Sequence, residues 1–458
     1  MRGQISRRNF MGVTTGFAAA TAASGLALRS DPISAAAQSV GAKAGDLPDL
    51  MIKEVKVYFI DTRKIENAGH LYSTEASELI SIVTNSGIEG NYTIGSHNPT
   101  KGWLEWAKSI LVGKNIVDLL PTLTATSGLK GPYGFDSPGL RGSYEASRRR
   151  SAGPGMGPAF SGMTSRGGGA WPNFYTAAAD VCMWDILGKA VNRPIYKILS
   201  GGNPASDRLM AYATSQLLPS VEDYASDALK AKGLGYRGYK IHPAAGQHAT
   251  GPAVPAYIGH MEEIREVRKA VGDEFVLMFD PIMRYSRFEA MKVGHLLDEQ
   301  NYAWFEDPIQ SSDQEGLIEL CAALNLPVLV GEFLYSVADF AEYIKRDAVD
   351  AVRLVIDNVG GISGGMRVGL LADAHGLECH PHNWGTVADM AVHFQLELAL
   401  PNAYWFEMPF PAENTDRPFY RDKFRIDADG YVHAPTAPGI GNPIDHDALD
   451  NITARIER

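Results

Sequence analysis

Phe275-Val276-Leu277-Met278-Phe279-Asp280-Pro281, Tyr302-Ala303-Trp304-Phe305-Glu306-Asp307-Pro308 and Pro327-Val328-Leu329-Val330-Gly331-Glu332-Phe333 are three apolar runs of one design. Each has strand length and ends on an acid, and 26 residues separate Asp280 from Glu306 and Glu306 from Glu332. The intervening residues 287–300 and 314–324 have helical spacing. Moving outward, further short apolar runs lie at 209–214, 236–242, 351–357, 377–382 and 404–409, with helix-like stretches at 176–190, 256–271 and 366–376 between or before them. Eight strand candidates, most followed by a helical stretch, predict an α/β chain with a (β/α)8-type barrel. A doubly wound open sheet would call for a glycine fingerprint after an early strand. Gly360-Gly361-Ile362-Ser363-Gly364-Gly365 follows the sixth strand instead and reads as a barrel turn.

The rest of the chain of 458 residues is organised around that barrel. Residues 52–59 and 78–84 read as strands and 103–111 as a helix, which predicts an α+β N-terminal capping domain over 50–175. Within it, residues 121–172 are dense in Gly, Ser, Pro and Arg and include Arg141, Arg148, Arg149 and Arg150. A loop of that length suits a lid over an anionic substrate or a solvated tether. The barrel is expected over 176–409 and a C-terminal segment over 410–458. At the other end, Ser6-Arg7-Arg8-Asn9-Phe10-Met11, a mildly apolar run and Ala35-Ala36-Ala37 resemble a bacterial twin-arginine signal, residues 1–37, with cleavage near Ala37. The mature protein is then expected in the periplasm or secreted, with no stable membrane insertion, because the apolar run is too short and interrupted to span a bilayer. A formal net charge of −11 argues against nucleic acid as a partner. Three distant cysteines, Cys182, Cys321 and Cys379, form neither a disulfide framework nor a zinc cluster.

Active groups in such barrels sit at the C-terminal ends of strands. Asp280, Glu306 and Glu332 end three successive strands and converge on one side of the mouth, where they would repel one another without a cation between them. Three carboxylates with room for water or substrate suit Mg²⁺ better than zinc. Lys240 and His242 lie two residues apart, on one face of a strand. His382, in His380-Pro381-His382-Asn383-Trp384, ends the seventh strand and Glu407 the eighth.

Taken together, these residues resemble the mandelate racemase subgroup of the enolase superfamily. The similarity also rests on Ala178, Asp180 and Trp184-Asp185-Ile186-Leu187-Gly188-Lys189, on Gly360-Gly361-Ile362-Ser363-Gly364, on His382-Asn383-Trp384-Gly385-Thr386 and, near the end, on Asp429-Gly430-Tyr431-Val432 and Pro438-Gly439-Ile440-Gly441. The resemblance implies abstraction of a proton alpha to a carboxylate through an enediolate held by Mg²⁺. Asp280, Glu306 and Glu332 would be the metal ligands, Lys240 and His242 the groups on one face, His382 the base on the other, and Glu407 an acid near the substrate carboxylate. Three positions depart from the family pattern. His242 replaces a second lysine; Val355 stands where an aspartate supports the histidine, with Asp357 two residues on as a substitute; Ile282 replaces an asparagine. The reaction expected is dehydration of a sugar acid to a 2-keto-3-deoxy acid. Racemisation, epimerisation or cycloisomerisation of a hydroxy acid or sugar lactone is the alternative, and a non-catalytic exported sugar-acid-binding protein is the alternative of another class. The partner expected is a small anionic substrate, and the assembly a homo-oligomer.

Overall fold

The computed structural model describes residues 47–65, 78–94, 100–120, 170–243 and 255–458. The paired-arginine segment and residues 121–169 of the Gly/Ser/Pro/Arg-rich stretch lie outside them. The first strand, β1 (Ile52–Ile60), carries buried Ile52, Val55, Val57 and Ile60. It pairs antiparallel with β2 (Glu78–Thr84), and β2 with β3 (Glu89–Ile94). The sequence pattern does not show β3, because Glu89, Gly90 and Asn91 are poor strand formers. Packing explains the glycine: a Cβ on Gly90 would sit 2.0 Å from the carbonyl oxygen of Cys182.

After α1 (Thr100–Ile110), the helix α2 (Ala170–Ala190) lies between this sheet and the barrel. Every residue from Tyr175 to Gly188 is buried, as befits a helix apolar on all sides. Its two aspartates are anchors. Asp180 accepts from Ser363 N (3.0 Å) and Ser363 Oγ (2.6 Å), and Asp185 accepts from Asn91 N (3.1 Å) and Ile440 N (2.9 Å). A Cβ on Gly361 would lie 2.3 Å from Asp180 Oδ2, so the paired glycines let the barrel close against α2.

A short helix, α3 (Ile195–Leu199), leads into the barrel. There the order is β4 (Arg208–Thr214), α4 (Val221–Leu234), β5 (Gly238–Ile241), α5 (Ala256–Val271), β6 (Val276–Phe279), α6 (Arg287–Glu299), β7 (Phe305–Glu306), α7 (Gln314–Ala323), β8 (Val328–Val330) and α8 (Val337–Lys345). It continues through β9 (Ala351–Val352), α9 (Ile356–Val359), α10 (Ile362–Ala374), β10 (Glu378–Cys379), α11 (Val387–Ala399) and β11 (Trp405–Pro409). Serine, aspartate or threonine side chains cap α4, α6, α7, α8 and α11, fixing each helix start after a connection of six or seven residues from the preceding strand. The parallel strands follow the ring order β10-β9-β8-β7-β6-β5-β4-β11. A hydrogen bond from Cys379 N to the Asn402 carbonyl (2.9 Å), just before β11, joins the two ends of that path. Only a short 3-10 turn, Ala412–Thr415, follows the final strand directly. The chain then runs through β12 (Tyr431–His433), antiparallel to β4, and α12 (His446–Ile452) to β13 (Thr453–Glu457), which pairs with β1 to give the sheet order β13-β1-β2-β3. The α/β barrel with an α+β cap is thus the architecture observed. Among the described residues no helix is long and apolar enough to cross a membrane.

One expectation is corrected. The ladder of the sixth barrel strand stops at Val352, and Asp357 lies in α9 rather than on a strand face. Its hydrogen-bond partner comes from the cap. Tyr92 Oη lies 2.8 Å from Asp357 Oδ1 and 3.1 Å from Asp389 Oδ1. A phenol has one proton to give, so the second contact calls for a proton on a carboxyl. Burial and the neighbouring Asp389 push Asp357 up to about 7. A carboxyl raised in the folded state binds its proton more tightly there, so its contribution to stability falls as pH rises from the unfolded value near 4 through about 7. Asp357→Asn should therefore raise unfolding free energy by about 1–3 kcal/mol at pH 8 and change it little at pH 4. Urea unfolding at the two pH values measures this, and an equal effect at both would remove the shared-proton account.

Candidate active site

Side chains on a strand repeat every two residues, and a barrel interior fills in layers of four drawn from alternate strands. Here the lowest inward positions are Gly238 of β5, Trp304 just before β7, Ala351 of β9 and Trp405 of β11, packed with Tyr212, Met278 and Leu329. Two residues further along the same strands come Lys240, Glu306, Arg353 and Glu407, all fully buried. On the intervening strands the same step leads from Tyr212 to Thr214, from Met278 to Asp280 and from His380 to His382. Glu332 follows Gly331, whose φ of 144° and lack of a Cβ (2.5 Å from the Phe340 ring if present) let the chain turn the acid into the mouth.

Asp280, Glu306 and Glu332 each offer an oxygen within 4.8 Å of the others, and all three are buried. Asp280 Oδ1 accepts from the backbone N–H of Ile282 (2.8 Å), so the main chain supplies a contact where the family uses an asparagine. Burial opposes ionisation of Asp280, but His242 and Lys240 outweigh it and hold the carboxyl below its ordinary range. Burial and neighbouring anions push Glu306 and Glu332 upward. Glu332 Oε2 accepts no hydrogen bond among the described residues, although His382 Nε2 lies 3.2 Å from it. An all-oxygen set with an unsatisfied buried carboxylate fits a hard dication such as Mg²⁺, which keeps waters or substrate in its remaining positions. Asp307 stands beside the triad with both oxygens lacking a hydrogen-bond partner among the described residues, and burial with Asp280 and Glu306 pushes it well up.

The nitrogen groups take distinct places. His242 Nε2 is 2.6 Å from Asp280 Oδ2, and its ring packs on Trp384 at 4.8 Å between centroids. His382 stands across the mouth against Glu332, and burial holds its imidazole well below the usual histidine range, hence neutral. Lys240 Nζ is enclosed by Glu407 Oε1 (2.7 Å), Glu306 (3.0 and 3.1 Å) and Asp280 Oδ2 (3.6 Å). Burial and Arg353 work against its charge, but those carboxylates outweigh them and raise it, so Lys240 is held as a cation. Glu407 takes Lys240 and Thr214 (2.7 Å) on one oxygen, and Arg353 and Asn383 N (2.8 Å) on the other. With both oxygens filled, and with Arg353 and Lys240 overcoming burial to keep it ionised, it anchors the site from below. Asp357, turned toward Tyr92, is not brought to His382 by any hydrogen bond or ion pair among the described residues.

Sequence reasoning passed over Arg353, which bonds Glu306 and Glu407 together. Its signal was available: a lone cation inside the apolar run 351–356, in step with the interior period of two.

Residues 221–448 match the family described as enolase C-terminal domain-like. The chain is 26% identical to the arabinonate dehydratase of Saccharolobus solfataricus over 272 residues, covering 58% of this chain and 69% of that protein. It is 30% identical to the L-talarate/galactarate dehydratase of Salmonella typhimurium over 230 residues, covering 50% of this chain and 54% of the other. The structure of D-glucarate dehydratase from Agrobacterium tumefaciens complexed with magnesium superposes with a TM-score of 0.68 at 23% identity, covering 89% of this chain and 100% of that one. At that identity the likeness is one of fold. Through residues 221–448, which carry all three carboxylates and both mouth histidines, the chain belongs to the enolase superfamily.

Proposed function

We propose that the protein is an Mg²⁺-dependent sugar-acid dehydratase, which removes the proton alpha to a carboxylate, expels a beta hydroxyl and yields a 2-keto-3-deoxy acid. The observation that carries this reading is the buried Asp280/Glu306/Glu332 group with an imidazole on either side. Its relatives point the same way, being named as dehydratases of arabinonate, talarate or galactarate, and mannonate.

A proton alpha to a carboxylate is too weakly acidic for a side-chain base acting alone. Asp280, Glu306 and Glu332 would hold Mg²⁺, which when bound would supply positive charge against the negative charge developing on the substrate's carboxylate oxygens. His382, neutral through burial, accepts the alpha proton. His242, with Nε2 against Asp280, is placed to carry a proton to the departing hydroxyl as an imidazolium. Lys240 adds fixed charge below the site, and Trp384 shields the His242 ring from water. Two imidazoles facing one site also suit two-base racemisation or epimerisation, which is the second reading.

Incubation with a sugar-acid library in D₂O and Mg²⁺ separates the readings. A dehydratase releases a 2-keto acid detectable with semicarbazide; a racemase gives only deuterated epimer; a cycloisomerase changes the ring without loss of water. Tight binding of an acid with neither exchange nor turnover would establish a binding protein instead. Glu332→Gln should weaken Mg²⁺ by roughly 100-fold or more and stop exchange with it, as read by calorimetric titration and NMR. Full exchange in that variant after chelation would end the metal assignment. His382→Asn should cut alpha-proton exchange by about 10²–10⁴-fold with Mg²⁺ affinity kept, whereas normal exchange would move the base role to His242.

We also infer export through the twin-arginine route from Arg7 and Arg8, to the periplasm or beyond. Mass spectrometry of protein recovered from a periplasmic extract should give a mature N-terminus just after Ala37. An N-terminus at Met1 in the cytoplasm alone would overturn that placement.

A further inference from the structure

Lys240, Glu306, Arg353 and Glu407 come from β5, β7, the end of β9 and β11, which are alternate strands of the barrel. They occupy one interior layer, a position usually filled by branched apolar residues. Their charges alternate around the ring, positive, negative, positive, negative. Each side chain touches both of its neighbours: Lys240 to Glu306 (3.0 Å) and to Glu407 (2.7 Å), and Arg353 through Nε to Glu306 and through Nη2 to Glu407. The remaining donors are also spent, Arg353 Nη1 on the carbonyls of His380 (3.0 Å) and Pro381 (3.3 Å), and Thr214 and Asn383 on Glu407. All four side chains are shut off from solvent.

We propose that this closed ring is an ionic layer of zero net charge that positions Glu306 for the metal, and that Arg353 is the positioning residue which sets both its geometry and its charge. The inference rests on the metal assignment above and goes beyond it. Glu306 is the one metal-binding carboxylate that also belongs to the ring. Lys240 donates to both of its oxygens (3.1 and 3.0 Å) and Arg353 Nε donates to Oε1, so Glu306 cannot swing without breaking contacts that have no solvent to replace them. Because the ring sums to zero, the layer beneath the metal neither attracts nor repels it at long range. Removing one cation or one anion leaves one unbalanced charge directly below the metal, in surroundings where water screens it poorly.

That reasoning fixes opposite signs for two truncations. In calorimetric Mg²⁺ titrations of the full chain at pH 8, Arg353→Met should bind the ion about tenfold more tightly than wild type, and Glu407→Gln about tenfold more weakly. The double variant, neutral again, should return to within about threefold of wild type, and Arg353→Lys, which keeps the charge, should do the same. Alpha-proton exchange should fall by about 10-fold or more in both single variants, because Glu306 loses its fixed orientation. A purely structural ring would weaken Mg²⁺ in both single variants alike, and that result, or no shift beyond about threefold in either, overturns the proposal. Should a single variant fail to fold, the double variant decides: affinity near wild type upholds the charge balance, and a loss beyond about tenfold refutes it. Wild-type protein that takes up no Mg²⁺ would instead overturn the functional reading, and this inference with it.

Discussion

Four carboxylates buried side by side at the top of a barrel cannot all stay ionised without positive charge among them, and that constraint organises the molecule. Two fixed cations, Lys240 and Arg353, share a layer with Glu306 and Glu407, which leaves the carboxylates of Asp280 and Glu332 in excess. The surplus is where a hard dication belongs. Apolar residues make up the layers below, so the charged part of the interior is held by close packing of Tyr212, Met278, Trp304 and Leu329 and does not extend through the barrel. Placing polar chemistry on the mouth side of an otherwise packed core keeps the stabilising layers and the reactive layers apart.

The cap is attached by a second set of buried carboxylates, used differently. Asp180 and Asp185 face backbone N–H groups and hydroxyls rather than metal, and they tie α2 to the Gly360-Gly361 turn, to β3 and to the C-terminal segment. Burial pushes Asp180 up to about 7 despite the contacts from Ser363. Tyr92 joins the same seam by reaching from β3 to Asp357 and Asp389 on the barrel side. The seam runs from the cap sheet to α9, and Asn358 of that helix donates to the Glu332 backbone carbonyl (2.7 Å). The cap therefore reaches the strand end that carries Glu332 through the Tyr92–Asp357 hydrogen bond, the backbone of α9 and the Asn358–Glu332 hydrogen bond.

How much of this was legible in the sequence depends on whether the signal was periodic. Strand ends were readable because an acid closing an apolar run recurs at equal intervals, and Asp280, Glu306 and Glu332 accordingly meet. Lys240 and His242 were found by the same spacing, although the sequence could not tell a trapped ammonium from a free base: that distinction comes from Glu407 and Glu306 closing around Nζ, contacts between residues far apart in the chain. The strand β3 was hidden because its glycine answers to a helix nearly a hundred positions later, not to local propensity. Asp357 was misplaced since two ladder residues suffice for β9 in the ring, after which Ile356–Val359 coils into helix. A run of apolar letters cannot reveal where hydrogen bonding to neighbours ends.

The imidazole at position 242 follows from the same electrostatics. A second lysine there would place another permanent cation against Asp280, beside Lys240 at 3.6 Å, in competition with the metal for that carboxylate. Histidine avoids this, since it can sit next to Asp280 without a fixed charge. With Nε2–H donating to Asp280 Oδ2 across 2.6 Å, the lone pair remains on Nδ1, the other side of the ring. A protonated ring in the same place has Asp280 to stabilise it and a spare N–H to give away. Both protonation states are therefore compatible with one geometry. Under the proposed dehydration, His242 would act without rearranging its surroundings, above a ring whose charges are already paired with one another.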